Sequence, residues 1–86
     1  MEFQKKPGSI YLENEDGTVI AEITYEYIGN NVMSITHTYV DECLRGQGIA
    51  SKLVEAAVRE IKRQGRAVTA TCSYAAGWLR KHGTEG

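Results

Sequence analysis

Eighty-six residues make one domain with room for a single core, because a chain of this length buries only about 60–65% of its unfolded surface. Ten Lys and Arg nearly balance eleven Asp and Glu, and the net charge of −1 is spread along the chain, which leaves no nucleic-acid footprint. No run approaches the ~20 apolar residues of a membrane span and the N-terminus lacks a signal peptide's apolar region, so a cytoplasmic protein without membrane partners is expected.

Residues 9–12 read as a first short strand, and Asp16-Gly17 gives the turn after it. Val19, Ala21, Ile23, Tyr25 and Tyr27 then alternate with Glu22, Thr24 and Glu26, the period of a half-buried strand. After the break at residues 29–31, a third strand covers 32–40. Plain alternation puts Met33, Ile35, His37 and Tyr39 on one of its faces and Val32, Ser34, Thr36, Thr38 and Val40 on the other. From Ile49 the period becomes helical. Ile49, Leu53, Val54, Ala57, Val58 and Ile61 share a face, Lys52, Glu55, Arg59, Glu60, Lys62 and Arg63 lie opposite as a solvated surface, and Gly65 ends the helix. Residues 67–73 read as a strand parallel to the third, and residues 74–82 as a closing helix with Tyr74, Trp78 and Leu79 available to pack. The expected fold is α+β: an antiparallel meander, a strand–helix–parallel strand crossover and a short C-terminal helix, all in one domain over 1–86.

Between the third strand and the long helix lies Leu44-Arg45-Gly46-Gln47-Gly48-Ile49-Ala50. Two glycines one residue apart allow a tight turn and close approach of a ligand. The helix start adds unpaired N–H groups and a positive dipole end, and Arg45 adds a permanent cation. Such a site suits a pyrophosphate. It is not a Walker loop, since the chain contains no Gly-Lys pair, and Ser51 stands where a dinucleotide fingerprint needs its third glycine.

The segment resembles the acyl-CoA motif of the GNAT superfamily of N-acetyltransferases, Arg/Gln-x-x-Gly-x-Gly/Ala, read as Arg45, Gly48 and Ala50. With His37-Thr38-x-Val40, Leu53-Val54, Cys72-x-Tyr74 and Trp78 to His82, the chain is similar to the minimal single-domain YjdJ-type subfamily over nearly its whole length. The resemblance implies acetyl-CoA as co-substrate. Its pyrophosphate would be held around Arg45, Gly46, Gln47, Gly48, Ile49 and Ala50. Its pantetheine arm would pair near Val40 in a gap between the splayed third and last strands, close to Tyr74, and its thioester would lie between His37 and Cys72. It also implies an acceptor of unknown identity, amine or thiol, and a monomer or weak dimer. Trp78 stands where such enzymes commonly place an acid Tyr, and it carries no hydroxyl.

Acetyl transfer to an amine requires removal of a proton, since a free lysine is protonated near neutrality. His37 is the one group on the third strand suited to that task; the competing reading packs it beside Ile35 and Tyr39. Cys72 could take the acetyl group itself as a thiolate, or be a buried, inert thiol beside Val68 and Ala70. Cys43 reads as an exposed bystander. The spacing of Cys43 and Cys72 matches neither a zinc nor a redox motif, so no metal is expected. Two functions stand at this level: an N-acetyltransferase, or a non-catalytic acetyl-CoA-binding module that carries acetyl through Cys72.

Overall fold

A computed structural model describes residues 3–82, so residues 1–2 and 83–86 of the expected domain lie outside the described residues. The elements run β1 (Gln4–Lys6), β2 (Ser9–Glu13), β3 (Val19–Gly29), β4 (Val32–Val40), a 3-10 turn (Glu42–Leu44), α1 (Ile49–Arg63), β5 (Ala67–Ala70) and α2 (Ser73–Lys81). The strands form one five-stranded sheet in the order of the sequence, with β1 to β4 antiparallel and β5 parallel to β4. The expected mixed fold of meander, crossover and closing helix is what the chain adopts.

Alternation builds the core. Ile10 and Leu12 of β2, Ala21, Ile23 and Tyr25 of β3, and Met33 and Ile35 of β4 meet Leu53, Val54, Ala57 and Ile61 of α1. Ala75 and Leu79 of α2 join the same cluster, so both helices cover one face of the sheet. The other face carries Tyr11, Glu22, Thr24 and Glu26, and no described element covers it. Gly65 stops α1 as expected: its φ is +75°, its N–H reaches the Lys62 carbonyl (2.9 Å), and that of Arg66 reaches the Ile61 carbonyl (3.2 Å).

Three features differ from the sequence reading. β1 was not expected, because Gln4, Lys5 and Lys6 carry no apolar period; this exposed edge is held by pairing to β2, by Lys6 Nζ over the Tyr11 ring (4.9 Å) and by its contact with Glu22 (3.9 Å).

The second difference is a bulge in β4. Thr24 pairs with His37 and Tyr25 with Ile35, which leaves Thr36 as an extra residue, its Oγ1 lying 2.9 Å from Thr24 Oγ1. An inserted residue reverses the alternation beyond it. Met33 and Ile35 are buried, but His37 and Tyr39 turn out to solvent, while Thr38 and Val40 take up the helix side. The packing of His37 beside Ile35 is thereby corrected.

The third difference follows from the second. The β4–β5 ladder stops at Ile35 and Ala70, one residue before the bulge, and the N–H groups of Thr71 (3.0 Å) and Cys72 (3.3 Å) both turn to the Ile35 carbonyl. The strand expected over 67–73 therefore ends at Ala70. Cys72 is not a strand residue in line with Val68 and Ala70; it is the N-cap of α2, which starts at Ser73.

One carboxylate ties α1 to the edge of the sheet. Glu60 accepts from Arg63 Nε (3.1 Å) and Gln64 Nε2 (3.0 Å) and lies 3.6 Å from Lys5 Nζ. The Arg63 and Gln64 hydrogen bonds outweigh the opposing effect of burial and hold its pKa at about 2, against an ordinary 4.5. A carboxylate depressed in the folded state contributes stability that is present above pH 4.5 and lost as pH falls toward 2. Glu60→Gln is expected to flatten that part of an acid-unfolding curve and leave the slope between pH 6 and 8 unchanged. Identical acid limbs for the two proteins would remove Glu60 from the account.

Candidate functional site

Beyond the bulge, β4 is paired on one side only. The Asp41 N–H donates to the Ile20 carbonyl (2.8 Å), so alternation turns the backbone groups of Tyr39 and His37 toward β3 and those of Thr38 and Val40 toward the open side. There a cleft of about 410 Å³ opens, lined by Thr38 and Val40, by the loop from Leu44 to the start of α1, and by Tyr74 of α2.

The loop is shaped from its N-terminal end. Asp41 caps the 3-10 turn by accepting from the Cys43 N–H (3.2 Å), and the Tyr39 hydroxyl donates to its other oxygen (3.2 Å). Donors from Cys43, thiol first and then N–H, together with Tyr39, hold the Asp41 carboxyl below the usual carboxylate range. The same carboxylate pushes the Cys43 thiol up. Gly46 (φ +85°) and Gly48 (φ +71°) then make the left-handed turns into α1. A Cβ at either would meet nothing within 4 Å, so the demand for glycine there is conformational.

The result is a set of free donors. Among the described residues, the N–H groups of Gly46, Gly48, Ile49, Ala50 and Ser51 have no acceptor, and Gly48 offers no side-chain cap. Gln47 differs, because its N–H turns to the Leu44 carbonyl (3.3 Å) and it does not line the cleft. Arg45 lines the cleft, is exposed, and makes no ion pair among the described residues. Open amides, a helix dipole and a guanidinium together form an anion site.

The expected catalytic pair is divided by β4. Cys72 is half-buried on the helix side, with its Sγ 3.6 Å from Thr38 Oγ1. Burial pushes its thiol up, but the Ala75 N–H, the Thr38 hydroxyl and the Tyr74 N–H favour the thiolate and bring it below the ordinary value. Side chains of successive strand residues point to opposite faces, so His37 stands on the uncovered face, exposed and without a hydrogen bond among the described residues. Tyr74 lines the cleft and is exposed. Trp78 is half-buried against the core, and its indole N–H donates to Ser51 Oγ (2.9 Å). Thr38, Leu44 and Ser51 line the cleft although the sequence reading assigned none of them a ligand contact. Thr38 shares Val40's alternation, and Ser51 sits in the first turn of the helix, which were the available signals.

A family model described as GCN5-related N-acetyl-transferase matches residues 9–85. The chain belongs to the GCN5-related N-acetyltransferase family. Protein NATD1 of Homo sapiens is 31% identical over 62 residues, which cover 72% of this chain and 55% of the relative, and that of Gallus gallus is equally similar. The chain spans about half the length of these curated relatives. Among solved structures, a GCN5-like protein from Staphylococcus aureus superimposes with a TM-score of 0.77 at 33% identity, over 94% of this chain and 79% of that one. Rv2747 from Mycobacterium tuberculosis, solved in complex with CoA, shares the fold at 18% identity with a TM-score of 0.69, over 88% of this chain and 47% of that one. In this GCN5-related N-acetyltransferase domain, the loop at Arg45–Ala50 and the break between β4 and β5 fall at one cleft.

Proposed function

We propose that this GCN5-related domain binds acetyl-CoA in the cleft and transfers the acetyl group to an amine. The observation that carries the reading is the set of unpartnered amides of Gly46, Gly48, Ile49, Ala50 and Ser51 beside the unpaired edge of β4. The amides and Arg45 take the pyrophosphate, and the free backbone of Thr38 and Val40 pairs with the amides of the pantetheine arm as an added strand would. In the transfer step the amine nitrogen attacks the thioester carbonyl carbon, a C–N bond forms, the C–S bond breaks, and CoA leaves as a thiolate. His37 takes the amine proton from the uncovered face of the sheet. Tyr74, which lines the cleft, offers a phenol hydroxyl to the leaving thiolate in place of Trp78.

A panel of small amines and peptides with acetyl-CoA tests this, read as amine-dependent release of free CoA. Where turnover is found, His37→Gln is expected to retain CoA affinity and lose 10²–10⁴-fold in rate, on the order of one general-base contribution, with the rise in rate toward alkaline pH flattened. An unchanged pH–rate profile would make His37 a surface residue only.

The placement of Cys72 at the cap of α2, with its thiol pKa below the ordinary value, supports a second reading in which the domain carries acetyl on sulfur. That reading expects saturable CoA binding with no amine-dependent CoA release.

A further inference from the structure

An amine that gives its proton to His37 approaches on the face of the sheet that no described element covers. That face holds a polar group with nothing to bond. Ser34 lies between the buried Met33 and Ile35 on β4, so its side chain leaves the strand toward the uncovered side. It is nonetheless only 1% exposed, and its Oγ has no hydrogen-bond partner among the described residues. Its pair partners across the sheet are Glu26 of β3 and Thr69 of β5. We propose that Glu26 and Ser34 form a subsite for a second ammonium group on the acceptor, which makes the acceptor a small alkyl diamine. The inference rests on the acetyl-transfer reading of the cleft.

Three observations carry it. The first is the orphaned hydroxyl. A buried hydroxyl without a partner costs stability, and alanine at this position would avoid that cost. The core lies on the other side of the sheet and makes no use of the Ser34 side chain. A donor brought by a ligand would satisfy it.

The second is charge. Glu22, on the same face, accepts from Ser9 Oγ (2.6 Å) and lies 3.9 Å from Lys6 Nζ, which stands over the Tyr11 ring. Serine hydroxyl, carboxylate and ammonium are thus already assembled once on this face, with the chain's own lysine as the ammonium. Ser34 and Glu26 repeat the first two members without the third. Glu26 is exposed and makes no ion pair among the described residues, which leaves its carboxylate free for a cation.

The third is place. Ser34 pairs with Thr69 one step before the β4–β5 ladder stops at Ile35 and Ala70, so the subsite borders the gap proposed for the thioester. Thr24 pairs with His37 and Glu26 with Ser34, which makes Glu26 and His37 diagonal neighbours on one face. Such neighbours stand about 7–8 Å apart, a span that about four methylene groups bridge. A diamine of that length sets one nitrogen at His37 and the other on Glu26 and Ser34.

The test is a titration of the full ¹⁵N-labelled chain, saturated with CoA, with 1,4-diaminobutane and with butylamine as the control that carries one ammonium. The diamine is expected to bind on the order of tenfold more tightly, as one charge-assisted contact gives, with saturable shifts at Glu26, Ser34 and Thr69. Glu26→Gln should bring the two affinities together. Ser34→Ala should raise the melting temperature by removing the unpaired hydroxyl, yet weaken the diamine, which separates a lost contact from a damaged fold. With acetyl-CoA the same preference is expected in kcat/KM, and Glu26→Gln should show its loss as a raised KM for the diamine. Equal affinities in the wild-type protein, or a diamine preference that survives both substitutions, overturn the subsite while the cleft reading stands. Diamine binding at Glu26 and Ser34 without turnover of any amine would keep the ammonium subsite and overturn the transfer reading.

Discussion

Gly48→Asp is expected to abolish the protection that CoA gives to the fold. A ligand at a hundred times its dissociation constant adds about 2.7 kcal/mol to stability, which for a domain of this size is a rise in Tm of roughly 10–20 °C. In the variant that rise should fall to near zero, because a carboxylate would stand where the free amides and Arg45 receive phosphate. The substitution acts on binding more than on folding. No atom crowds a Cβ at Gly48, and the left-handed φ of +71° costs a non-glycine residue about 1–2 kcal/mol, with Asp among the more tolerant. A carboxylate at a helix N-terminus also recovers part of that cost from the dipole. Equal CoA-induced shifts in the two proteins would show that the ligand sits elsewhere.

The second large effect concerns the two thiols, whose surroundings pull them in opposite directions. Cys43 is the more exposed, but Asp41 beside it raises its pKa; Cys72 is half-buried, and the donors at the start of α2 lower its pKa. Incubation with acetyl-CoA is therefore expected to acetylate Cys72 well before Cys43, as read by peptide-level mass spectrometry without reductant. In that reaction the Cys72 thiolate attacks the thioester carbonyl, the new S–C bond replaces the old one, and CoA leaves as a thiolate. Cys72→Ser should abolish the adduct and keep CoA affinity, since the proposed pyrophosphate and pantetheine contacts do not use the sulfur. Equal labelling of both cysteines would mean solution chemistry. No Cys72 adduct, together with amine turnover that survives Cys72→Ser, would leave direct transfer as the mechanism.

Local pattern made most of the fold legible. The alternation from Ala21 to Tyr25, the helical stripe from Ile49 to Ile61 and the stop at Gly65 each depend on neighbours along the chain, and each appears as read; at the ends of β3 the pattern fails, where Ile20 rather than Val19 packs on the core and Tyr27 is exposed. What the pattern could not show depends on pairing. Nothing local to Thr36 marks it as the bulged residue; the bulge exists because β3 and β4 meet in a register that leaves one residue over. That single residue turns His37 outward, ends the β5 ladder at Ala70 and so makes Cys72 a helix cap. β1 escaped notice for a different reason, since an exposed edge strand of Gln and Lys has no apolar face to announce it. At the site, the two glycines and Arg45 were visible as an anion-binding loop, but the commitment of Gln47's amide to Leu44 and the openness of Ser51's are visible only in three dimensions.

Amide chemical shifts of the ¹⁵N-labelled chain during a CoA titration test the central claim most directly, because they read each proposed donor by itself. The account predicts saturable shifts, the largest at Gly46, Gly48, Ile49, Ala50 and Ser51, with Gln47 moving less than its neighbours and Thr38 and Val40 responding once the pantetheine arm is present. Saturable shifts centred away from this loop, or no shifts at millimolar CoA, would contradict it.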